Sequence, residues 1–514
     1  MKQDALMAMA LLALVACGGG DDGWKSTCSA TKPCAAGSYC AHTPDGDVCW
    51  PDEVDPVINS VEANCGGSTT CRRNEALHVT VDVTDQERMG EVEIALSLDE
   101  DERRVLTHTS GNTYEGDISL TDFPLGFEEP VTITVTARDE ARRTVTTTSA
   151  VTVTRLAWSR QLASVSLWSP AIMSDGRIVV AASNGRLHSV SKAGVASEPV
   201  VVSSSPLSGP AAIGPDAIWV GSEDGRLYPV STNGTVGTSC NAGAAMLGAP
   251  AIRGMRAVSA TKGSFVMVAD VAGTCAPTVV ASPAQPVVSS AGRVFVPSNG
   301  KLRSFSVAAN GALADEWVDA PPAPTVGNVL VPPSIDASSA VWTTSNAGPV
   351  YRTTSSGVAN QVAADPAISD SSSGTIILAD GSAVLGEFSS SALRRLSANG
   401  SAPWTIGEPL DGHPGIPLAV AGPTPGLVVG TDNGWLAFVR QSDGSVAWKG
   451  RISTSALEPP NIWTEPGATT STVYLAGADG FLYAVIVDGA LDASAPWPKA
   501  YHDPQNTSNA GVTP

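Results

Sequence analysis

Three signals recur together eight times between Ser169 and Asp488, and their period limits what this chain can fold into. Each copy has a Pro followed by apolar residues, then a two-residue turn ending in Gly, then a second Gly. The prolines are Pro170, Pro210, Pro250, Pro286, Pro324, Pro366, Pro417 and Pro460. The turns are Asn184-Gly185, Asp224-Gly225, Lys262-Gly263, Asn299-Gly300, Ala347-Gly348, Asp380-Gly381, Asn433-Gly434 and Asp479-Gly480. The second glycines are Gly194, Gly234, Gly273, Gly311, Gly357, Gly400, Gly444 and Gly489, spaced by 38 to 46 residues. Copy six is irregular, because Gly400 comes nineteen positions after Gly381.

A repeat of about 40 residues without helical periodicity predicts one four-stranded propeller blade per copy. Short β-rich runs such as RIVVAAS and TVYLAGA support this, and Asp-Gly or Asn-Gly supplies the positive φ that a two-residue hairpin turn needs. The sequence therefore predicts an all-β, eight-bladed propeller, or a seven-bladed one if copy five or six belongs to a longer loop. A strand from residues 155–168 pairing with the last blade would close the ring and remove free sheet edges.

The charge balance excludes one class of partner. The 514 residues include 50 acidic and 30 basic side chains, which gives a net charge of -20. A surface of this charge argues against binding nucleic acid.

The first residues have the pattern of a processing signal. Ala5 to Ala16 is apolar but too short to span a bilayer. Leu14-Val15-Ala16-Cys17 resembles the bacterial lipobox, in which the signal is cleaved just before a Cys that becomes lipid-modified. Cys17 is therefore the predicted lipid attachment site, and an ordinary signal peptide that contains a Cys is the alternative.

The other eight cysteines are even in number and grouped locally, which in an exported chain predicts disulfides. They are Cys28, Cys34, Cys40 and Cys49 in a small module, Cys65 and Cys71 close together, and Cys240 with Cys275 in adjacent repeats. A zinc site is the alternative for the first four, although they lack a CxxC pair. The last two either bridge neighbouring blades or are two buried thiols. Spacing does not determine the connectivity.

Residues 57–154 alternate polar and apolar side chains in several runs, which predicts a β-sandwich. This pattern resembles the bacterial immunoglobulin-like domains that stand between an anchor and a functional head. Asp82, Asp85 and Asp139 fall at strand ends and could gather Ca²⁺ between loops; the alternative is that they are solvated turn residues.

Residues 158–507 resemble the PQQ-like repeat of the quinoprotein alcohol dehydrogenase-like propellers. The clearest copy is Gly430–Phe438 followed by Ser442–Trp448. In that family, tryptophans at this phase dock one blade against the next, and the resemblance implies this structural role for Trp158, Trp317, Trp404, Trp448 and Trp497. Residues 497–507 also resemble a short segment that flanks such propellers in exported bacterial proteins.

The predicted organisation follows in chain order. It is a signal peptide (1–16), a lipidated Cys and Gly-rich tether (17–23), a Cys-rich module (24–50), a linker (51–56), an immunoglobulin-like β-sandwich (57–154), a PQQ-like propeller (155–507) and a C-terminal tail (508–514).

The enzymes of the family bind PQQ with Ca²⁺ held by Glu, Asn and Asp, use an Asp as base, and often carry two adjacent cysteines. This sequence has no adjacent Cys pair, and its repeat aspartates stand in turns, where the backbone favours them. We therefore predict no catalytic residue and no cofactor, with a PQQ- and Ca²⁺-dependent dehydrogenase as a weak alternative. His188 occupies the repeat position of Tyr228 and Tyr483, which favours a packing role.

The remaining hypothesis is binding, because propellers present loops on a stiff scaffold. The sequence favours a monomeric, non-enzymatic lipoprotein that serves as a protein-binding scaffold at the cell envelope, most simply at the outer membrane, facing either the periplasm or the surface. It is similar in plan to the propeller lipoproteins of the outer-membrane barrel assembly machinery, but those lack the Cys-rich module and spacer. The alternative is a binder of carbohydrate or another cell-surface polymer, which requires exposed aromatic residues on the loops.

Overall fold

The computed structural model describes residues 26–29, 31–86, 89–317, 326–327, 329, 331–345, 349–363, 373–387, 391–406 and 410–514. Within these ranges the chain is built of β-strands, with one 3-10 turn at Leu120–Asp122. Two compact units divide the chain. One consists of Met1–Thr69, Ala76–Ile118 and Pro130–Val151, and the other of Thr70–Glu75, Ser119–Glu129 and Thr152–Pro514. The predicted lipid attachment residue, Cys17, lies outside the described residues.

The Cys-rich module is a hairpin of strands Ser38–Thr43 and Gly46–Pro51. Two disulfides hold it, Cys28–Cys40 and Cys34–Cys49, with Cα–Cα distances of 5.8 and 5.6 Å. A module this small buries little apolar surface, so crosslinks supply the constraint that a core supplies elsewhere.

Between residues 57 and 154 the strands form two sheets. One has the order Val57–Asn64, Ala76–Thr84, Thr113–Ser119, Thr107–Ser110. The other has the order Thr70–Arg72, Thr144–Thr154, Glu128–Asp139, Met89–Leu96, Asp99–Val105. The predicted alternation is present: Leu77, Val79, Val81 and Val83 are buried, and the residues between them are half-buried. Cys65 and Cys71 are both disulfide-bonded.

The rest of the described chain forms eight antiparallel sheets, numbered one to eight in chain order. Sheet one contains Ala171–Ile172, Ile178–Ala181, Arg186–Val190 and Val200–Val201. Sheet two contains Ala212–Ile213, Ile218–Gly221, Arg226–Val230 and Cys240–Asn241. Sheet three contains Met246–Arg253, Arg256–Thr261, Phe265–Asp270 and Cys275–Val279. Sheet four contains Val287–Val288, Val294–Ser298, Lys301–Val307 and Leu313–Asp315.

Sheet five contains Ser334–Ile335, Val341–Thr344, Val350–Thr353 and Ala359–Ala363. Sheet six contains Ile376–Ile377, Ala383–Glu387, Ala392–Leu396 and Trp404–Thr405. Sheet seven contains Leu418–Ala421, Gly426–Gly430, Trp435–Arg440 and Val446–Arg451, with Ala490–Leu491 added beside its first strand. Sheet eight contains Asn461–Thr464, Thr470–Ala476 and Phe481–Asp488, and its fourth strand is Leu156–Gln161.

The last sheet is completed by a strand that precedes the first. Leu156–Gln161 pairs antiparallel with Phe481–Asp488, so the chain before sheet one is hydrogen-bonded into sheet eight. This is the pairing that the sequence predicted for ring closure. Side-chain packing continues around the same circuit, because Ile178 and Val180 of sheet one share a core cluster with Tyr474 and Leu482 of sheet eight.

The structure corrects the phase of repeats five and six. Their first strands begin at Ser334 and Ile376, ten residues after Pro324 and Pro366, the prolines that were assigned to them and that lie outside the described residues. Asp380-Gly381 turns between the first and second strands of sheet six, although the repeat predicts it between the second and third. An Asp-Gly turn fits either hairpin, so the motif alone cannot tell which one it closes. This explains the nineteen-residue spacing in copy six.

Candidate binding scaffold

Two of the predicted docking tryptophans link neighbouring sheets by the same geometry. The indole N–H of Trp158, on sheet eight, donates to the carbonyl of Lys192 in sheet one over 3.0 Å. A Cβ on Gly194 would lie 2.9 Å from that indole ring. Likewise the indole N–H of Trp404 in sheet six donates to the carbonyl of Gln441 in sheet seven over 2.9 Å, and a Cβ on Gly444 would meet the ring at 2.7 Å. In these two copies the second Gly of the repeat is thus required by close approach of the preceding sheet.

The other predicted docking tryptophans occupy different surroundings. Trp317 is buried against Phe295 of sheet four, in a cluster that includes Trp342 of sheet five. Trp448 stacks on Phe438 of its own sheet, with ring centroids 5.5 Å apart. Trp497 lies in the C-terminal segment, outside the strands of the eight sheets, and is buried in the cluster shared by sheets four, five and six.

A hydrogen-bonded turn recurs in sheets two and eight. In sheet two, the Tyr228 hydroxyl and the Ser203 hydroxyl both donate to Oδ2 of Asp224, over 2.6 and 3.0 Å. In sheet eight, the hydroxyls of Tyr483 and Ser453 donate to Oδ2 of Asp479, each over 2.6 Å. Each aspartate thus bonds to a Tyr of its own sheet and to a Ser in the loop that leads from the preceding sheet, which is a structural role, as the sequence context indicates.

His188 holds the corresponding position in sheet one. It is buried, and its Nε2 accepts or donates no hydrogen bond among the described residues. Burial, together with the nearby charge of Arg186, lowers the pKa of His188. It lines a cavity of about 170 Å³ between sheets one and two, as does Glu198. A neutral imidazole packed between sheets matches the packing role predicted for it.

The C-terminal segment 497–510 passes the first strands of the sheets in order. From here on this segment, and not the predicted tail 508–514, is called the tail. Six backbone N–H groups of these strands donate to carbonyls of the tail over 2.7 to 2.9 Å. The pairs, with the donor first, are Ile377 and Trp497, Ala419 and Pro498, Ile172 and Pro504, Ile213 and Gln505, Ile252 and Thr507, and Val288 and Ser508. These donors belong to sheets six, seven, one, two, three and four. In sheet eight the amide of Asn461 donates to the carbonyl of Pro504 over 2.8 Å. Because one short segment touches the first strands of seven sheets, those strands converge on it, and the tail fills their common centre.

The tail has an unusual backbone and a buried polar interior. Tyr501, His502, Asn506 and Ser508 all have positive φ, which non-glycine residues adopt only where surrounding contacts hold them. The ammonium of Lys499 is fully buried and donates to the carbonyls of Ala500 and Asp503 and to Oδ1 of Asn506. Burial lowers the pKa of Lys499 to about 7.

Further side chains of the tail find hydrogen-bond partners in the sheets and loops around it. The amide of Asn506 donates to the carbonyls of Pro170 and Ala211, over 3.1 and 3.3 Å. The amide of Asn509 donates to the carbonyl of Ile252 over 2.9 Å. The predicted end of the propeller is residue 507, but Ser508 and Ala510 are also hydrogen-bonded to sheet four. No residue pattern predicted that the tail lies at the centre of the sheets.

The residues with metal-ligating groups lie elsewhere. Among the described residues, two groups bring three such side chains together: Cys28, Cys34 and Cys49, which are in disulfides, and Asp52, Asp85 and Asp139. Of the predicted calcium candidates, Asp85 and Asp139 are thus brought together. Asp82 is not part of this group, and its Oδ1 accepts a hydrogen bond from the amide of Asn59.

Cys240 and Cys275 form a disulfide between the fourth strands of sheets two and three, with a Cα–Cα distance of 5.5 Å. The bridge between neighbouring sheets that the sequence analysis considered is therefore present. It ties adjacent sheets at their outer edges, as the tail ties them at the centre.

Aromatic side chains are not displayed by the eight sheets or the tail. In the described part of residues 156–514, no Trp, Tyr or Phe is exposed. Trp50, in the Cys-rich module, is 46% exposed. The described chain also contains no helix with the length and hydropathy that crossing a membrane requires.

Successive four-stranded sheets, closed by a strand from before sheet one and packed around a common centre, define a β-propeller. No family model matches the sequence, and no curated protein matches it. Several solved structures are similar to this chain in fold. The crystal structure of BamB from Moraxella catarrhalis is 14% identical, covers 64% of this chain and 98% of that chain, and has a TM-score of 0.50.

The computationally designed Ika8 protein is 12% identical, covers 65% of this chain and 100% of that chain, and has a TM-score of 0.52. A virginiamycin B lyase from Staphylococcus aureus is 12% identical, covers 64% and 98% of the two chains, and has a TM-score of 0.43. At these identities, BamB and Ika8 support the propeller fold alone.

Proposed function

We propose that this chain is a non-enzymatic lipoprotein of the bacterial cell envelope whose eight-bladed, PQQ-like propeller is a rigid scaffold for a protein partner. Cys17 carries the lipid in this proposal, and residues 57–154 form an immunoglobulin-like spacer that holds the propeller away from the membrane. We place the protein at the outer membrane as a monomer. The likeness to BamB supports the propeller architecture and nothing more specific.

The occupied centre of the ring is the observation that carries the proposal. The tail contacts seven sheets, and the polar groups of the buried Lys499 and Asn506 and of the half-buried Asn509 bond within the protein. A ring tied at its centre and, between sheets two and three, at its edge is stiff, so its loops are held in fixed positions. Recognition then falls to the turns at the two ends of the sheets.

The turns at the two ends of the sheets differ in the apolar side chains that they expose. The turns between first and second strands and between third and fourth strands share one end of each sheet, called the first-turn end. At this end Val195, Met255, Val271 and Val358 are 67%, 58%, 44% and 53% exposed, respectively. The described turns between second and third strands, at the second-turn end, expose no large apolar side chain. The exposed Val201 and Val279, near the same end, lie on the outermost fourth strands and not in turns. We therefore propose that the partner docks at the first-turn end.

The absence of exposed aromatic side chains in the described propeller disfavours polymer binding, because sugar-binding surfaces rely on accessible aromatic faces. For this reason we rank a protein partner above a carbohydrate or other cell-surface polymer.

Site-specific photocrosslinking in intact cells tests the docking proposal. A photoreactive phenylalanine analogue at Val195 would report on the first-turn end of sheet one, and the same analogue at the exposed Asn184 would report on the second-turn end of that sheet. We expect a discrete, higher-mass protein adduct from position 195 and none from position 184. Adducts from 184 alone would reverse the assigned end, and no protein adduct from either position would contradict the scaffold.

The anchor has a separate test. Mature protein from cells fed an alkyne-labelled fatty acid should carry the label at Cys17, and Cys17→Ala should abolish both the label and sedimentation with membranes. A mature N-terminus other than residue 17 would overturn lipidation without bearing on the docking test.

A further inference from the structure

Three carboxylates meet where the linker reaches the sandwich strands of the first unit. Asp52 follows strand Gly46–Pro51, Asp85 follows strand Ala76–Thr84, and Asp139 ends strand Glu128–Asp139. One ligand oxygen from each lies within 4.8 Å of the others. Three residues from distant parts of the sequence are thus brought to one point by the fold.

Two of these carboxylates are buried with one oxygen unused. Asp52 and Asp139 are only 4% and 2% exposed. In each, Oδ1 accepts a backbone hydrogen bond, from Val54 over 3.0 Å and from Arg143 over 2.8 Å. Oδ2 of each has no hydrogen-bond partner among the described residues. A buried anionic oxygen without a partner is strongly unfavourable unless a cation compensates it.

The side chain of Arg143 braces the group, and its charge partly offsets that of Asp139, but it makes no hydrogen bond to either Oδ2 atom. Its Nε donates to the backbone carbonyl of Asp52 over 2.8 Å, and its Nη1 donates to Oδ1 of Asp55 over 3.0 Å. The guanidinium therefore fixes the position of the linker while it pairs with a different carboxylate. Burial raises the pKa of Asp139, and the charge of Asp52 adds to this effect.

The same point joins the Cys-rich module to the sandwich strands within this unit. The backbone N–H of Gly37 donates to the carbonyl of Ala141 over 2.9 Å, and that of Asp52 donates to the carbonyl of Gly37 over 3.0 Å. A cation bound by Asp52 and Asp139 would add a further connection between the linker and the sandwich strands.

We propose that Asp52, Asp85 and Asp139 bind one Ca²⁺ ion, which fixes the Cys-rich module to the neighbouring domain. An all-oxygen, carboxylate-rich group suits a hard cation. Calcium bonds oxygen at about 2.4 Å, so two of its ligand oxygens are separated by at most about 4.8 Å. Mg²⁺ bonds at about 2.1 Å and demands octahedral geometry, so a site formed by distant loops fits Ca²⁺ better.

Calorimetric titration of the full-length, detergent-solubilised protein after chelator treatment tests this proposal. Asp52→Asn and Asp139→Asn each keep the shape of the side chain but remove its charge. Asp82→Asn is the matched control, since Asp82 stands on the same strand run as Asp85 but lies outside the group. We expect one equivalent of Ca²⁺ to bind the natural protein and the control, and at least tenfold weaker binding to the other two variants.

Folding is checked independently by the thermal unfolding profile without metal, and Asp52→Asn is the safer variant because Asp52 lies in the linker. Added Ca²⁺ should raise the unfolding temperature of the natural protein and the control only. No binding at millimolar Ca²⁺, or binding that survives both charge-removing variants, would overturn the site. Tighter binding of Mg²⁺ than of Ca²⁺ would overturn the choice of ion.

Discussion

The ammonium nitrogen of Lys499 donates a 2.8 Å hydrogen bond to Oδ1 of Asn506, and neither residue is exposed to solvent. Two backbone carbonyls, of Ala500 and Asp503, complete the surroundings of the nitrogen. Burial lowers the pKa of Lys499 from 10.5 to about 7, although the charge of Asp503 opposes this shift. The centre of the propeller therefore contains a titrating group in the physiological range.

This lowered pKa sets the sign of a stability change with pH. Below about pH 7 both the folded and the unfolded chain hold the Lys499 proton, and this group adds no pH dependence. Between about pH 7 and 10.5 the unfolded chain keeps a proton that the folded chain releases, so the free energy of unfolding rises with pH.

Lys499→Met should remove that rise. The test is urea unfolding of the natural protein and the variant at several pH values between 7 and 10. The slopes are compared instead of the absolute stabilities, because Met also leaves Oδ1 of Asn506 without its donor. Parallel pH profiles for the two proteins would show that Lys499 is not the titrating group.

Glu458, in the loop between sheets seven and eight, should change the free energy of unfolding with pH in the opposite direction. Burial raises the pKa of Glu458 from 4.5 to about 7. Between these values the folded chain holds a proton that the unfolded chain releases, so the free energy of unfolding falls as pH rises.

Glu458→Gln keeps the protonated shape and should flatten the profile between about pH 4.5 and 7, as measured by urea unfolding. Lys499→Met serves as the control, because it should leave this acidic window unchanged. A fall in stability that persists in Glu458→Gln would assign it to another group.

The sequence predicted the repeat units better than their boundaries. Gly194 and Gly444 are both visible in the sequence and required in the structure, because each has a positive φ and each is approached by a Trp. Pro324 and Pro366 misled because the first strands of sheets five and six begin ten residues later, at Ser334 and Ile376. Asp380-Gly381 misled because the same turn chemistry serves two different hairpins.

Contacts made through the backbone or across long sequence distances were not predictable. The tail binds the sheets chiefly through its carbonyls, which every residue has, so the resemblance of residues 497–507 to a flanking segment did not indicate its place at the centre. Asp52 was missed because it lies in a segment whose composition indicates a linker, and only the fold brings it to Asp85 and Asp139. Asp82 was predicted as a calcium ligand because the sequence shows only which carboxylates fall near strand ends, and not which of them meet in the fold.

The docking of Trp404 against Gly444 can be separated from backbone strain by two Gly→Ala variants. Gly444 has φ +75, and an added Cβ would meet the Trp404 ring at 2.7 Å. Gly243 has φ +73, but an added Cβ would meet nothing within 4 Å. Both variants suffer the strain of a positive φ, and only Gly444→Ala also overpacks the contact between sheets six and seven.

We expect Gly243→Ala to lower the free energy of unfolding by about 1–2 kcal/mol. Gly444→Ala should lower it by about 2–4 kcal/mol, since overpacking adds to the strain. Urea unfolding followed by tryptophan fluorescence measures both. Equal losses in the two variants would mean that the Trp404 ring moves aside freely and does not hold the sheets together.

The disulfide between Cys240 and Cys275 should stabilise the propeller by restricting its unfolded chain. It spans 35 residues, and the chain-entropy relation gives about 4 kcal/mol for a loop of that length. We expect Cys240→Ala with Cys275→Ser to lower the free energy of propeller unfolding by about 2–4 kcal/mol. Ala suits the buried position 240, and Ser suits the exposed position 275.

The matched control is Cys34→Ala with Cys49→Ser, which opens a bridge of the Cys-rich module. Tryptophan fluorescence during urea unfolding reports mainly on the propeller, where most of the described tryptophans lie. The control should leave this transition in place, whereas loss of the 240–275 bridge should shift it to lower urea. An unshifted transition in the 240–275 variant would mean that the tail and the pairing of Leu156–Gln161 with sheet eight already hold the ring without the crosslink.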